Sequence, residues 1–284
     1  MGFVFLIGLG ITLYPAISNY LMEKNQSIAM EGYIEEQERI PDEKKIQMKE
    51  DAIAYNKRLR EGTVVLTDPF DPDAIKYVTD DYEKLLDTNG MGLMAYLEIP
   101  SIEVYLPIYH GTGEGTLQNA IGHLGNTSLP IGGENTHAVI SGHTGLPNAR
   151  ILTDLDKLQI GDQFYIHILD EILAYEVDQI KIVEPENVSD IFISEGQDYV
   201  TIVTCTPYGI NSHRLLVRGT RVPYVEQVKE TQVNRQSEST WSEAYRTAIF
   251  TGIKWAGIGI GIVALLWLLY RWIRHEVQKR RNAQ

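Results

Sequence analysis

The run Tyr199-Val200-Thr201-Ile202-Val203-Thr204-Cys205 leads through Thr206-Pro207-Tyr208-Gly209-Ile210-Asn211-Ser212 into His213-Arg214-Leu215-Leu216-Val217. β-Branched and aromatic residues crowd both flanks, and the middle holds Pro, Gly, Asn and Ser, so the pattern predicts strand, turn, strand. If the strands pair as a hairpin, Cys205 and Arg214 face each other at its mouth. A cation beside a thiol lowers the thiol pKa, and thiolate is the nucleophile. A guanidinium there can also hydrogen-bond a developing oxyanion. Cys205 is the only cysteine in the chain, which excludes an intramolecular disulfide and any multi-cysteine metal site. Outside the cell an unpaired thiol is a liability unless it is used.

With these two, at 199–205 and 213–222, runs of the same kind lie at 94–99, 104–109, 137–141, 163–168 and 173–183, seven in all. Short strands with no regular helix between them favour an antiparallel barrel or sandwich, a mainly β fold. A cysteine nucleophile needs a proton carrier, and His is the usual one. His143 sits in Ser141-Gly142-His143-Thr144-Gly145-Leu146-Pro147, a Gly-flanked turn that exposes its side chain at a strand end. His213 neighbours Arg214 but points to the opposite strand face. His275 is in the tail. Spacing alone leaves His110, His123, His137 and His167 open, as carriers or as structural histidines. The spacings of His123, His137 and His143 match no common metal-ligand pattern, so neither metal nor cofactor is expected.

Before the strands, residues 27–60 read as helical, with Met48, Ala52, Tyr55 and Leu59 forming a stripe and Pro41-Asp42-Glu43 suiting a helix start. Asp68-Pro69-Phe70-Asp71-Pro72-Asp73 carries two prolines and reads as a loop. A short helix is expected next, with Asp80 and Glu83 at capping-box spacing.

The chain has 284 residues and a net charge of −13, which argues against a nucleic-acid partner. Residues 1–22 carry no charged side chain, and 255–270 (WAGIGIGIVALLWLLY) are again uncharged. Lys254 and Arg271 flank the second run, and Arg274, Lys279, Arg280 and Arg281 come after it, so the positive-inside rule puts the C-terminus in the cytoplasm. The expected organisation is a signal or membrane segment at 1–22, N-terminal helices and a loop at 23–90, and a catalytic β-domain at 91–225. A stalk at 226–248, a transmembrane helix at 249–273 and a basic cytoplasmic tail at 274–284 complete it. The β-domain would then lie outside the cytoplasm, at the cell membrane.

Thr201-Ile202-Val203-Thr204-Cys205 resembles the TLxTC signature of sortases, the membrane-tethered cysteine transpeptidases of Gram-positive surfaces, with Ile202 where Leu is commoner. The likeness continues through Gly122-His123-Leu124, Thr127-Ser128-Leu129-Pro130, the His143 turn, and Cys205 to Gly219, covering about 91–225. Asp68-Pro69-Phe70 resembles the DPF/W lid motif of class C, the pilin-polymerising kind. The resemblance implies a closed sortase-type β-barrel of about eight strands with N-terminal helices, a lid loop and a C-terminal transmembrane helix. It implies Cys205 as nucleophile, His143 as general acid/base and Arg214 as the oxyanion or substrate-orienting group. Arg218, on the same strand face as Arg214, is the runner-up. The prolines on either side of Phe70 stiffen the lid, Phe70 is an apolar plug for the thiol, and Asp68 is an anion that can pair with Arg214.

By the same resemblance, the enzyme cleaves an LPxTG-like sorting signal between Thr and Gly through a thioacyl intermediate and passes the acyl group to a pilin lysine. Its partners are pilin subunits and the membrane, and it is expected to act as a monomer. A housekeeping sortase that modifies a cell-wall precursor and a non-catalytic anchored surface scaffold are the alternatives.

Overall fold

The computed structural model describes residues 2–225 except 75–77, 80, 89 and 147–148, and beyond these only Arg271. The chain divides into two units, Met1–Val225 and Glu226–Gln284, and the first holds the N-terminal helices and every strand among the described residues. The segments expected at 226–248, 249–273 and 274–284 lie, Arg271 apart, outside the described residues. Among the described residues no helix is long and apolar enough to cross a membrane.

Two helices open the chain, α1 at Gly2–Arg39 and α2 at Asp42–Glu61. The helical region expected at 27–60 is thus two helices, and the first reaches back through Pro15 to Gly2. The break falls at Pro41, whose ring disfavours helix at the residue before it and whose nitrogen has no proton to donate. Asp42 and Glu43 restart the helix in its first turn, where the macrodipole favours acids. α2 turns Ala52, Tyr55, Asn56 and Leu59 toward the protein. Asn56 locks it down, since its Nδ2 donates to Leu129 O at 3.2 Å and its Oδ1 accepts from Leu129 N at 2.7 Å. From α1, the Tyr33 hydroxyl donates to Met94 O at 2.9 Å. The short helix expected near residue 80 is a 3₁₀ turn, Tyr82–Lys84.

Eight strands come next: β1 Leu93–Ile99, β2 Val104–His110, β3 Ile121–His123, β4 Thr136–Ser141, β5 Gln163–Ile168, β6 Glu171–Val183, β7 Asp198–Thr206 and β8 His213–Val222. They close into a barrel in the order β1-β2-β3-β4-β7-β8-β6-β5. All seven expected strands are present. The addition is β3, three residues centred on Gly122. The barrel is also not wholly antiparallel, because β2–β3 and β4–β7 are parallel pairs. The first crossover carries a short helix, α3, at Glu114–Leu117, and the second carries β5 and β6.

Strand alternation separates two apolar layers. Ala138 and Ile140 of β4, Val200 and Ile202 of β7, and Leu215 and Val217 of β8 enter the main core with Leu97, Ile99, Phe164 and Tyr175. Gly219 faces this interior, where an added Cβ would stand 2.5 Å from the Phe164 ring. Val139, Val203 and Leu216 face outward instead and pack with Ala74, Leu124 and Ile191. Leu66 and Phe70 of the 62–74 loop lie against this second layer. The loop therefore covers the outer face of β4, β7 and β8.

Candidate active site

Strand register assembles the site. In the parallel β4–β7 ladder Ser141 pairs with Val203, and Gly142 N extends it by donating to Val203 O at 3.2 Å. Beyond the ladder's last pair, His143 follows Ser141 by two residues, as Cys205 follows Val203. In the antiparallel β7–β8 ladder Cys205 pairs with Arg214. Cys205 and Arg214 thus lie side by side on β7 and β8, on the face that also carries Val203 and Leu216, and with His143 in the turn just beyond β4 they make up the candidate row.

The turn that holds His143 is fixed from several sides. Gly142 sits where an added Cβ would stand 2.7 Å from Ile121 and 3.0 Å from Leu152. Its carbonyl accepts from Thr204 Oγ1 at 2.7 Å, and His143 O accepts from Leu152 N at 3.1 Å. Gly145 has φ +73° with the Tyr208 ring against it, which a residue with a side chain would not tolerate. Sequence reasoning missed the part Thr204 plays here. The available signal was its inward position by alternation, where a polar residue must find a partner.

The 62–74 loop closes over the row. Asp71 N donates to Asp68 O at 2.9 Å, and Ala74 N to Asp71 O at 3.1 Å, which makes two successive turns. Arg214 donates to Asp68 through Nε at 2.8 Å and through Nη2 at 2.5 Å. Arg214 Nη1 donates to Asn211 O and His213 O, each at 3.2 Å. The Phe70 ring lies between the two basic groups, its centroid 4.9 Å from Arg214 Cζ and 5.4 Å from the His143 ring. Pro69 is buried. Cys205 is 8% exposed. All six residues singled out from sequence (Cys205, His143, Arg214, Asp68, Pro69 and Phe70) meet at one place.

Burial pushes the Cys205 thiol up; Arg214 pulls it back, and Asp68 pushes it up again. Burial holds His143 below the ordinary imidazole value, against a small upward pull from Glu114. Both shifts favour the uncharged forms, thiol and neutral imidazole. A thiol, an imidazole and a guanidinium in a row can perform acyl transfer: nucleophile, proton carrier and oxyanion partner.

The other candidates are engaged elsewhere. Arg218 donates to Asp178 at 2.9 and 3.0 Å and lies 4.1 Å from the Tyr199 ring centroid, two rows from Arg214 on β8. A bulge in β6 at Asp178 aims that carboxylate. His123 pairs with Ser128 O at 2.8 Å and the Tyr82 hydroxyl at 2.9 Å, and burial depresses it to about 3. His137 pairs with Phe192 O at 2.9 Å and Thr201 Oγ1 at 2.7 Å, and burial depresses it to about 4. His110 lies between Gly92 O and Leu85 O, and His167 meets Glu98 at 2.6 Å. His213 pairs with Ser212 Oγ at 2.8 Å. Among the described residues no group of three or more His, Cys, Asp or Glu is placed to hold a metal ion.

The Sortase domain matches residues 97–222. That span contains the whole row and all of β2 to β8. The chain belongs to the sortase family of cysteine transpeptidases. Among solved structures it is 47% identical to sortase C-1 of Streptococcus pneumoniae, covering 68% of this chain and 97% of that one at a TM-score of 0.63. A second S. pneumoniae structure, described as Sortase C and discussed for its pilin substrate specificity, is 43% identical over 69% of this chain and 97% of that one, at a TM-score of 0.63. Sortase D of Bacillus subtilis is 30% identical over 129 residues, which are 44% of this chain and 62% of that protein. The chain thus spans less than two thirds of that curated relative.

Proposed function

We infer that this chain is a membrane-anchored class C sortase that joins pilin subunits. Cys205 gives its proton to His143 and attacks the Thr carbonyl of an LPxTG-like sorting signal. Arg214 stabilises the oxyanion, the Thr–Gly bond breaks, and His143 protonates the departing Gly amine. A thioacyl enzyme remains. A lysine amine of the next pilin then attacks the thioester while His143 takes up its proton, and Cys205 leaves as an isopeptide bond forms. The covalent intermediate divides one hard amide exchange into two easier steps and conserves acyl activation, so the sequence needs no nucleotide.

The observation that carries this reading is the lid. Asp68 occupies the oxyanion partner, Arg214, and Phe70 lies between it and the proton carrier, as a pseudo-substrate would. A covered thiol favours the class C reading over a housekeeping enzyme or a non-catalytic scaffold, since a scaffold has no use for a guarded nucleophile. The likeness to sortase C structures supports it further. The uncharged run at 255–270, with basic residues after it, supports anchoring with the catalytic domain outside and the tail inside. Confinement to one surface with its substrates raises their effective concentration.

The test is ligation. Full-length protein is incubated with an LPETG peptide and a lysine-bearing pilin domain, and products are read by mass. An isopeptide-linked adduct that disappears in Cys205→Ala supports the reading. Hydrolysis alone, or ligation that survives Cys205→Ala, contradicts it.

A further inference from the structure

Ser141 is the last residue of β4, two before His143. It is fully buried, and its hydroxyl has no hydrogen-bond partner among the described residues. The side chain falls on the outer face, because Val139 packs in the outer layer while Ala138 and Ile140 face the main core. Its row reads Gly122, Ser141, Val203, Leu216, and it adjoins the Cys205–Arg214 pair, with His143 two residues after Ser141 in the chain.

Four other buried hydroxyls on these strands and turns are matched. Thr201 pairs with His137, Thr127 donates to Leu124 O, and Thr204 donates to Gly142 O. Ser128 accepts from His137 N. A buried hydroxyl without a partner costs stability that alanine would spare. Ser141 is therefore a polar group matched to something other than the closed protein. Directly beside it on the sheet, Gly122 contributes no side chain, and Val203 and Leu216 are apolar.

We propose that Ser141 is a substrate-binding residue of the transfer reaction. With the 62–74 loop displaced, its hydroxyl donates to a backbone carbonyl of the donor peptide. Rows on one strand are about 7 Å apart, the span of two residues of extended chain. The carbonyl bound by Ser141 thus lies about two residues along the peptide from the one that Cys205 attacks. A serine hydroxyl suits this task, as one donor that rotates to an incoming acceptor. The assignment rests on the sortase reading of the site.

The test compares full-length wild type and Ser141→Ala with a fluorogenic LPETG peptide, alongside thermal unfolding. Loss of an interaction made equally in the bound and transition states raises KM at constant kcat. The expected result is a KM roughly 3- to 10-fold higher, kcat within about twofold, and a Tm unchanged or raised. A KM within about twofold of wild type overturns the assignment. So does a lowered Tm, which marks the hydroxyl as structural. Acylation of wild-type Cys205 by the same peptide separates the two ideas: its absence overturns both, and its presence with an unchanged Ser141→Ala KM overturns only this one.

Discussion

The Asp68 carboxylate grips the Arg214 guanidinium with two parallel hydrogen bonds, Nε–Oδ1 at 2.8 Å and Nη2–Oδ2 at 2.5 Å, across 146 residues of chain. Both side chains are largely buried, Arg214 at 11% and Asp68 at 15% exposure. A charge-assisted, bidentate pair in this setting is worth about 1.5–3 kcal/mol. It ties the loop to the strand pair that carries Cys205 and occupies the guanidinium proposed as the oxyanion partner.

Releasing that grip should expose the thiol. Asp68→Ala combined with Phe70→Ala is expected to speed alkylation of Cys205 by roughly 10- to 100-fold, the factor that corresponds to the pair's energy. Stopped labelling with mass analysis gives the rate. An unchanged rate means that the loop does not guard the sulfur.

Labelling should also depend on pH in a defined direction. Burial and Asp68 raise the Cys205 pKa, and Arg214 lowers it. The wild-type rate therefore rises with pH, with its midpoint above the ordinary thiol range. Asp68→Asn removes a raising charge and should move the midpoint down; Arg214→Gln removes the lowering one and should move it up. Shifts in the reverse sense contradict the electrostatics assigned to the site.

Arg214 and Arg218 should separate cleanly. Arg214→Lys keeps the charge but loses the planar fork, and acylation should slow by about 100-fold. Arg218 grips Asp178 and lies on Tyr199, away from the row. Arg218→Ala should leave the rate within about threefold and lower stability by about 2 kcal/mol. Peptide turnover and urea unfolding of both variants decide between the two roles.

How much of this was legible in the residues depends on the range over which each feature is determined. The seven longer strands were readable because β-branched runs bounded by Gly, Pro and Asn are local signals. β3 was not, since three residues centred on Gly122 carry no alternation to read. The parallel β4–β7 pairing is set by closure of the barrel, and it is what brings the end of β4, two residues before His143, beside β7, two residues before Cys205. Pairing of Asp68 with Arg214 became an expectation only through resemblance, because no local rule links residues so far apart. Thr204 and Ser141 stand inside recognisable motifs with no role evident from the motif, since an inward threonine and an unpaired serine acquire meaning only when their neighbours are known.

Acid should unfold the barrel through its buried histidines. His123 and His137 are depressed to about 3 and about 4 in the folded state, against an ordinary value near 6.5. The unfolded chain therefore binds more protons as pH falls below that value. The stability contributed by the neutral rings is complete above about pH 6.5 and is lost progressively toward pH 4, by several kcal/mol. His137→Gln, which cannot take up the proton, should flatten that loss in Tm between these limits. An equally steep fall in the variant would assign acid sensitivity to other groups.

The most direct test of the account is the intact mass of the full-length Asp68→Ala/Phe70→Ala protein, quenched in acid after brief incubation with an LPETG peptide. The account predicts a mass increase equal to the peptide up to its Thr, mapped by digestion to Cys205 and discharged by added lysine-bearing acceptor. A protein whose mass stays unchanged while the peptide is cleaved, or an adduct on any residue other than Cys205, contradicts it.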